Sequence, residues 1–161
     1  MESITSILGP DNVEAFTRLL MALLLGSVLG IERVFAHKTA GMRTYALVSF
    51  GAALFVVISF LVYKDFTGLT NFDPLRVASQ IVVGLGFLGA GTIVLRKDDR
   101  ISGLTTAAGL WVSGAIGAAA GFGLYHVAIF SAFLVLATFT ILWFIESKIK
   151  KVSGVWDQDR E

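Results

Sequence analysis

Apolar residues in this chain gather into five long blocks, at about 13–31, 45–63, 75–95, from 105 to a short turn near Gly123, and 124–145, with short polar segments between them. Each block approaches the roughly 20 residues that an α-helix needs to cross bilayer hydrocarbon. The pattern predicts an all-α integral membrane fold of five transmembrane helices with glycine-rich central helices. Residues 1–147 then form one five-span membrane domain, and 148–161 a short tail.

The first block is free of charge only from Leu19 to Ile31. Glu14 and Arg18 stand four apart with the acid first, the orientation that pairs on a helix, and are expected to pair at the membrane interface. An intramembrane ion site is the sharper reading of the same two residues. Tyr45 and Tyr63 bracket the second block as an aromatic belt would, and Val56 between them is expected to face lipid. Asp73-Pro74 suits a helix start, since Asp caps and Pro fits the first turn, and Arg76 lies three residues on, placed to pair with Asp73. Thr105 and Thr106 open the fourth block, where a hydroxyl can accept from free backbone amides. Trp143, near the end of the fifth, suits an interface position.

Glycine is concentrated in the stretch 81–121. Gly84 and Gly91 share one helical face, and Gly86, Gly89 and Ala90 share the opposite one. Gly costs about 1 kcal/mol relative to Ala inside a water-exposed helix, so another factor must favour it here. Two readings are open. Small residues let helix backbones approach closely between lipid tails, or the helix unwinds between Gly84 and Gly91 and offers carbonyls to an ion. Gly109, Ser113, Gly117 and Gly121 fall at every fourth position and form a continuous groove, as do Ala22, Gly26 and Gly30 in the first block. The two glycine-rich helices are expected to pack as an antiparallel pair.

Composition narrows the class. The chain is 55% hydrophobic and 16% charged over 161 residues, with mean hydropathy +0.78, outside the range of soluble domains. Ten of its basic residues fall on one side of a five-span topology and three, Arg18, Lys64 and Arg76, on the other. By the positive-inside rule this puts the N-terminus outside and the 32–44 segment, the 96–103 segment and the tail inside. The N-terminus begins with an acidic residue and lacks the basic region of a secretory signal, so no cleaved leader is expected. Net charge of +1, with basic residues spread over short loops, gives no reason to expect nucleic acid. The Lys cluster at 148–151 and Trp156 suit contact with anionic lipid, and a plain solvated tail is the alternative.

Little in the chain suggests catalysis. There is no Cys, no phosphate-binding loop ending in Lys-Ser or Lys-Thr, and both imidazoles, His37 and His126, lie outside the core of the blocks. Magnesium demands near-octahedral oxygen ligation, yet no Asp or Glu sits in the middle of a block, and Gln80 is the one strongly polar side chain within the third. No catalytic residue, metal site or cofactor is assigned. The polar positions of interest are the ends. Glu32 and Arg33 close the first block while Arg43 and Thr44 open the second, so Glu32 is expected to pair with Arg43 across the loop.

Three segments carry a resemblance to a known family: GSVLGIERVFAHKTAGMRTYALVSFGAALF at 26–55, DPLRVASQIVVGLGFLGAGTIVLR at 73–96 and GLTTAAGLWVSGAIGAAAGFGLY at 103–125. In order and with matching spacing, they resemble the MgtC/SapB family of bacterial inner-membrane proteins. The resemblance implies a five-span membrane domain whose pattern includes Glu32, Arg33, Gly41, Arg43, Thr44, Arg76, Gly86, Gly89, Gly91, Thr105, Thr106 and Trp111. It implies a link to growth under magnesium limitation and to virulence through survival inside host cells, with some members restraining the proton-driven ATP synthase. Longer relatives carry a soluble domain after the last span, for which this chain leaves no room. The expected function is that of a non-enzymatic inner-membrane protein that binds a membrane partner, ATP synthase being one candidate. A transporter or channel for a small ion or solute through the glycine-rich helices is the alternative. Membrane lipid and another copy of the chain complete the set of expected partners. Candidate interaction residues are Glu32, Arg33, Arg43, Thr44, Asp73, Arg76, Gln80, Gly86, Gly89, Gly91, Thr105 and Thr106.

Overall fold

The computed structural model describes residues 10–65, 73–95 and 101–152. Among them run α1 (Pro10–Phe35), α2 (Met42–Asp65), α3 (Pro74–Thr92), α4 (Leu104–Gly121), and a fifth span of α5 (Tyr125–Ala137), a π-helical turn (Thr138–Leu142) and α6 (Trp143–Val152). Five of these segments are long and apolar enough to cross a membrane, namely Asn12–Phe35, Met42–Lys64, Leu75–Thr92, Leu104–Gly121 and Tyr125–Val152. The fifth is longer than its apolar block because the helix continues through the Lys-rich segment, across the boundary expected at 147. A two-residue hairpin, β1 (Val94–Leu95) with antiparallel β2 (Ile101–Ser102), joins α3 to α4, pairing Val94 with Ser102 and Leu95 with Ile101. The charged tip at 96–100, most of the 64–76 loop and the tail beyond 152 lie outside the described residues.

α2 is the centre of the bundle, packed on one side against α1 and on the other against α4. Both neighbours turn their every-fourth small residues toward it. A Cβ added at Gly26 would sit 2.7 Å from the Ser49 Cβ, and one added at Gly117 would collide with the Ser49 carbonyl. The backbones therefore touch where lipid tails offer no hydrophobic force to bring helices together. Two buried hydroxyls then cross the interfaces. Ser49 donates to the Ala22 carbonyl at 2.7 Å, and Ser113 donates to the Tyr45 carbonyl at 3.1 Å. Interhelical bonds of this kind contribute on average about 0.6 kcal/mol each in membrane helices.

The groove on α4 is as the sequence suggests, but its occupant is α2 and not α3. α3 packs on a different face of α4, through Leu85 over Gly114 and Gly89 against Ala107. The pair is antiparallel, as expected. Gly84, Gly86 and Gly91 are another matter, since a Cβ added at any of them meets nothing within 4 Å. They do not mark an interface within the chain. The helix also runs unbroken from Pro74 to Thr92, which removes the unwound segment considered at 84–91. Val56, expected to face lipid, is fully buried beside α4, while Phe55 next to it is exposed.

The helix ends are set by local chemistry. Asp73 caps α3 by accepting from the Leu75 amide at 2.9 Å, with Pro74 in the first turn; among the described residues it forms no ion pair with Arg76. α4 is started by Gly103 and not by a threonine hydroxyl. Its φ of 94° is left-handed, and a side chain there would strike the Thr92 carbonyl. At the end of the bundle opposite the hairpin, Arg18 pairs with Glu14 as expected. It also donates to the Gly121 carbonyl at 2.9 Å and lies 5.6 Å from the centre of the Phe60 ring. That one side chain ties α1 to α2 and to the end of α4.

Packing this close makes a sharp distinction between glycines. Gly117→Leu should abolish most folded, monodisperse protein in detergent, because overpacking costs about 1–3 kcal/mol where neighbours can yield and more where the obstacle is backbone. Gly86→Leu should keep the parental yield. Similar yields for the two variants would contradict the arrangement of α2 and α4.

Candidate functional site

The most unusual group in the bundle is Arg33, in the last turn of α1 and only 3% exposed. A guanidinium inside a membrane helix is expensive, so its partners carry the explanation. Glu32, its sequence neighbour, bonds the Arg33 Nε. The guanidinium carbon, Cζ, lies 3.6 Å from the centre of the Phe139 ring. A desolvated cation over an aromatic face gains up to about 2 kcal/mol.

Phe139 reaches Arg33 because the fifth span widens there. Thr138 and Thr140 turn their hydroxyls back on the Leu134 and Leu136 carbonyls, at 2.9 and 2.8 Å, inside the π-helical turn. Such turns insert an extra residue into the helical repeat and re-aim the side chains around it. The Phe139 ring then shares with the Tyr45 hydroxyl the space left by Gly109, where an added Cβ would meet both. Tyr45, 0% exposed, donates to the Thr106 carbonyl at 3.4 Å. The tyrosine expected in an aromatic belt is thus a core residue. It links α2 to α4 next to the ion pair of Arg33.

Thr106 also faces the other way, into an open cleft of about 680 Å3 between the 36–41 turn, the hairpin and the starts of α2 and α4. Its polar lining is His37, Lys38, Thr39, Thr44, Thr92, Ser102 and Thr106. His37 stands at its edge with a left-handed φ of 53°, closing the turn after α1 through its amide to the Val34 carbonyl at 3.0 Å.

The residues singled out from sequence divide into three groups. Glu32, half-buried, pairs with buried Arg33, and Thr44, Thr106 and Gly91 meet in the cleft. Arg43 is exposed, and among the described residues the ion pair of Glu32 is with Arg33, so the expected bridge from Glu32 to Arg43 is not formed. Glu32 is drawn to the charge that burial leaves in greatest need of a counter-ion. Asp73, Arg76 and Gln80 lie exposed toward the far end of α3, away from this cluster, and Thr105 and Gly86 are exposed as well. Gly89 is a packing residue against Ala107. Nothing in the sequence brings Tyr45, Gly109 and Phe139 together in this cluster. Gly109 was legible as part of a groove, but nothing in a uniformly apolar fifth block marks Phe139.

Comparison with known proteins agrees with the resemblance carried by the motifs. The profile of the MgtC family matches residues 19–148. "Protein MgtC" of Brucella abortus (strain 2308) is 49% identical over 115 residues, 71% of this chain and 45% of that protein. "Putative magnesium transporter YhiD" of Escherichia coli (strain K12) is 40% identical over 127 residues, 78% of this chain and 59% of that protein. A Haemophilus influenzae protein without an assigned role is 37% identical over 138 residues, 84% of this chain and 58% of its own length. The chain spans about half the length of the curated relatives it matches. No solved structure matches it.

The pairing can be measured by double-mutant cycles on unfolding in detergent. Arg33→Met with Phe139→Leu should couple by about 0.5–2 kcal/mol, as a cation over a ring does. Glu32→Gln alone should cost up to about 3 kcal/mol, because it leaves a buried guanidinium without its counter-ion. Glu32→Gln with Arg43→Gln should be additive within about 0.5 kcal/mol. Strong coupling of Glu32 to Arg43 and none to Arg33 would reverse the assignment.

Proposed function

Because the chain belongs to the MgtC family, a family of membrane proteins tied by name to magnesium, we propose that it is a non-enzymatic protein of the bacterial inner membrane that acts under magnesium limitation by docking a second membrane protein. The observation that carries this reading is the outer face of α3. Phe87 there is 82% exposed, and Gly84 and Gly91, which share its face of the helix, are open. A large ring set among missing side chains offers a neighbouring helix both a knob and the gaps to approach closely, which is how helices associate between lipid tails. The ATP synthase is the partner that the family resemblance suggests, and a second copy of the chain has the same chemistry to offer. The bias of basic residues supports an orientation with the 36–41 turn and the cleft on the cytoplasmic side.

Transport is the second reading, and the printed name of the Escherichia coli relative favours it. Three observations weigh against a path for magnesium through this chain. The centre of the bundle is filled by Tyr45, Leu29, Leu110 and Ile116. α3 keeps its carbonyls in helical bonds through the glycine stretch. Among the described residues, no group of three or more His, Asp or Glu could hold a metal ion.

The two readings separate in one pair of experiments. In sealed liposomes the purified protein should admit no magnesium to an internal fluorescent reporter, and a photo-crosslinking residue at Phe87 should trap a membrane protein in cells starved of magnesium while one at buried Ile116 should not. Magnesium entry that depends on the protein, with no adduct at position 87, would establish transport and end the docking reading.

A further inference from the structure

The cleft beside Thr106 plays no part in helix packing, and hydrogen-bond donors dominate its walls. Two helices begin there, α2 at Met42 and α4 at Leu104, and Ala40, Thr44, Gly103 and Thr106 from those starts line it. A helix start leaves backbone amides without an acceptor and carries partial positive charge. Neither start has an acidic residue in its first turn, and no side chain caps α4. Lys38 adds a full charge, and among the described residues no carboxylate lines the cleft.

Thr106 supplies a directed donor. It is only 4% exposed and lines the cleft, yet among the described residues its hydroxyl has no hydrogen-bond partner. Other threonines of the bundle bond back to their own helix, as Thr17 does to Val13, Thr92 to Gly89 and Thr138 to Leu134. The Thr106 oxygen is not sealed off from the cleft, so a bound acceptor there can take its hydrogen bond. Hydroxyls, one ammonium and two helix starts together select a tetrahedral oxyanion over a cation or an apolar ligand.

We propose that this cleft binds a phosphate group, with Lys38 as counter-charge and the Thr44 and Thr106 hydroxyls as directed donors. The proposal does not rest on partner docking on α3, although Gly91 borders both the cleft and that face. Its rim runs into exposed Val94, Leu95, Ile101 and Leu104, so the phosphomonoester head of a lipid and free phosphate share the required chemistry.

The test uses the full chain in phosphatidylcholine nanodiscs. One arm adds inorganic phosphate, with chloride as control, and the other dopes the discs with phosphatidic acid. Thermal midpoint and native mass spectrometry report binding. At least one probe should raise the midpoint, and Lys38→Gln and Thr106→Val should each weaken its binding about tenfold, the loss expected for one hydrogen bond to a charged group. Lys38 is exposed, so its variant tests the site even if Thr106→Val folds poorly. Lys64→Gln, at the opposite end, should bind like the parent. Stabilisation by phosphate assigns a soluble ligand, and stabilisation by phosphatidic acid alone assigns a lipid. Binding of neither probe, or an equal loss in Lys64→Gln, would overturn the proposal.

Discussion

Close approach of backbones is what this bundle depends on. Lipid tails are as apolar as the side chains that face them, so the helices cannot be held by the hydrophobic effect and must gain from contact area and from polar groups satisfied between them. α2 meets that requirement twice, against Ala22 and Gly26 of α1 and against Gly109, Ser113, Gly117 and Gly121 of α4. The cluster at one end follows from this spacing. With α4 held so near, Tyr45 points into the gap at Gly109, its hydroxyl reaches Thr106, and the space that remains takes the Phe139 ring over Arg33.

Five spans, their approximate limits and two small-residue grooves were legible in the sequence, because hydropathy and a four-residue repeat are local signals. What they do not carry is the identity of the neighbour. The glycines of α3 and those of α4 look alike as a pattern, yet Gly117 lies against a backbone and Gly86 against nothing in the chain. Tyr45 shows the same limit, since a tyrosine at the edge of an apolar block reads the same whether it sits at a lipid interface or fills the gap over a glycine 64 residues away. Phe139 was hidden for a further reason. The π-helical turn adds a residue to the repeat, so a helical wheel drawn at 100° per residue loses register at the turn that aims the ring inward. Loop proximity points Glu32 toward Arg43, but the burial of Arg33, which no local signal in the sequence marks, decides its partner.

The proposed roles divide along the same lines as the structure. The tightly packed α1, α2 and α4 meet at a centre filled by Tyr45, Leu29, Leu110 and Ile116, while α3 presents an open glycine and phenylalanine face outward. That open face is what the proposed docking of a second membrane protein rests on. The cleft at the 36–41 turn is a separate feature, built on helix starts that the central packing brings side by side.

The position of Tyr45 tests the whole account most directly. With Tyr63 and Tyr125 replaced by phenylalanine, Tyr45 is the one tyrosine left, and its labelled ring can be observed by solid-state NMR in lipid bilayers. The ring should show through-space contacts to glycine carbons, from Gly109, and none to lipid acyl chains. Strong contacts to acyl chains with none to glycine would place the ring at the lipid interface and contradict the packing from which the rest is derived.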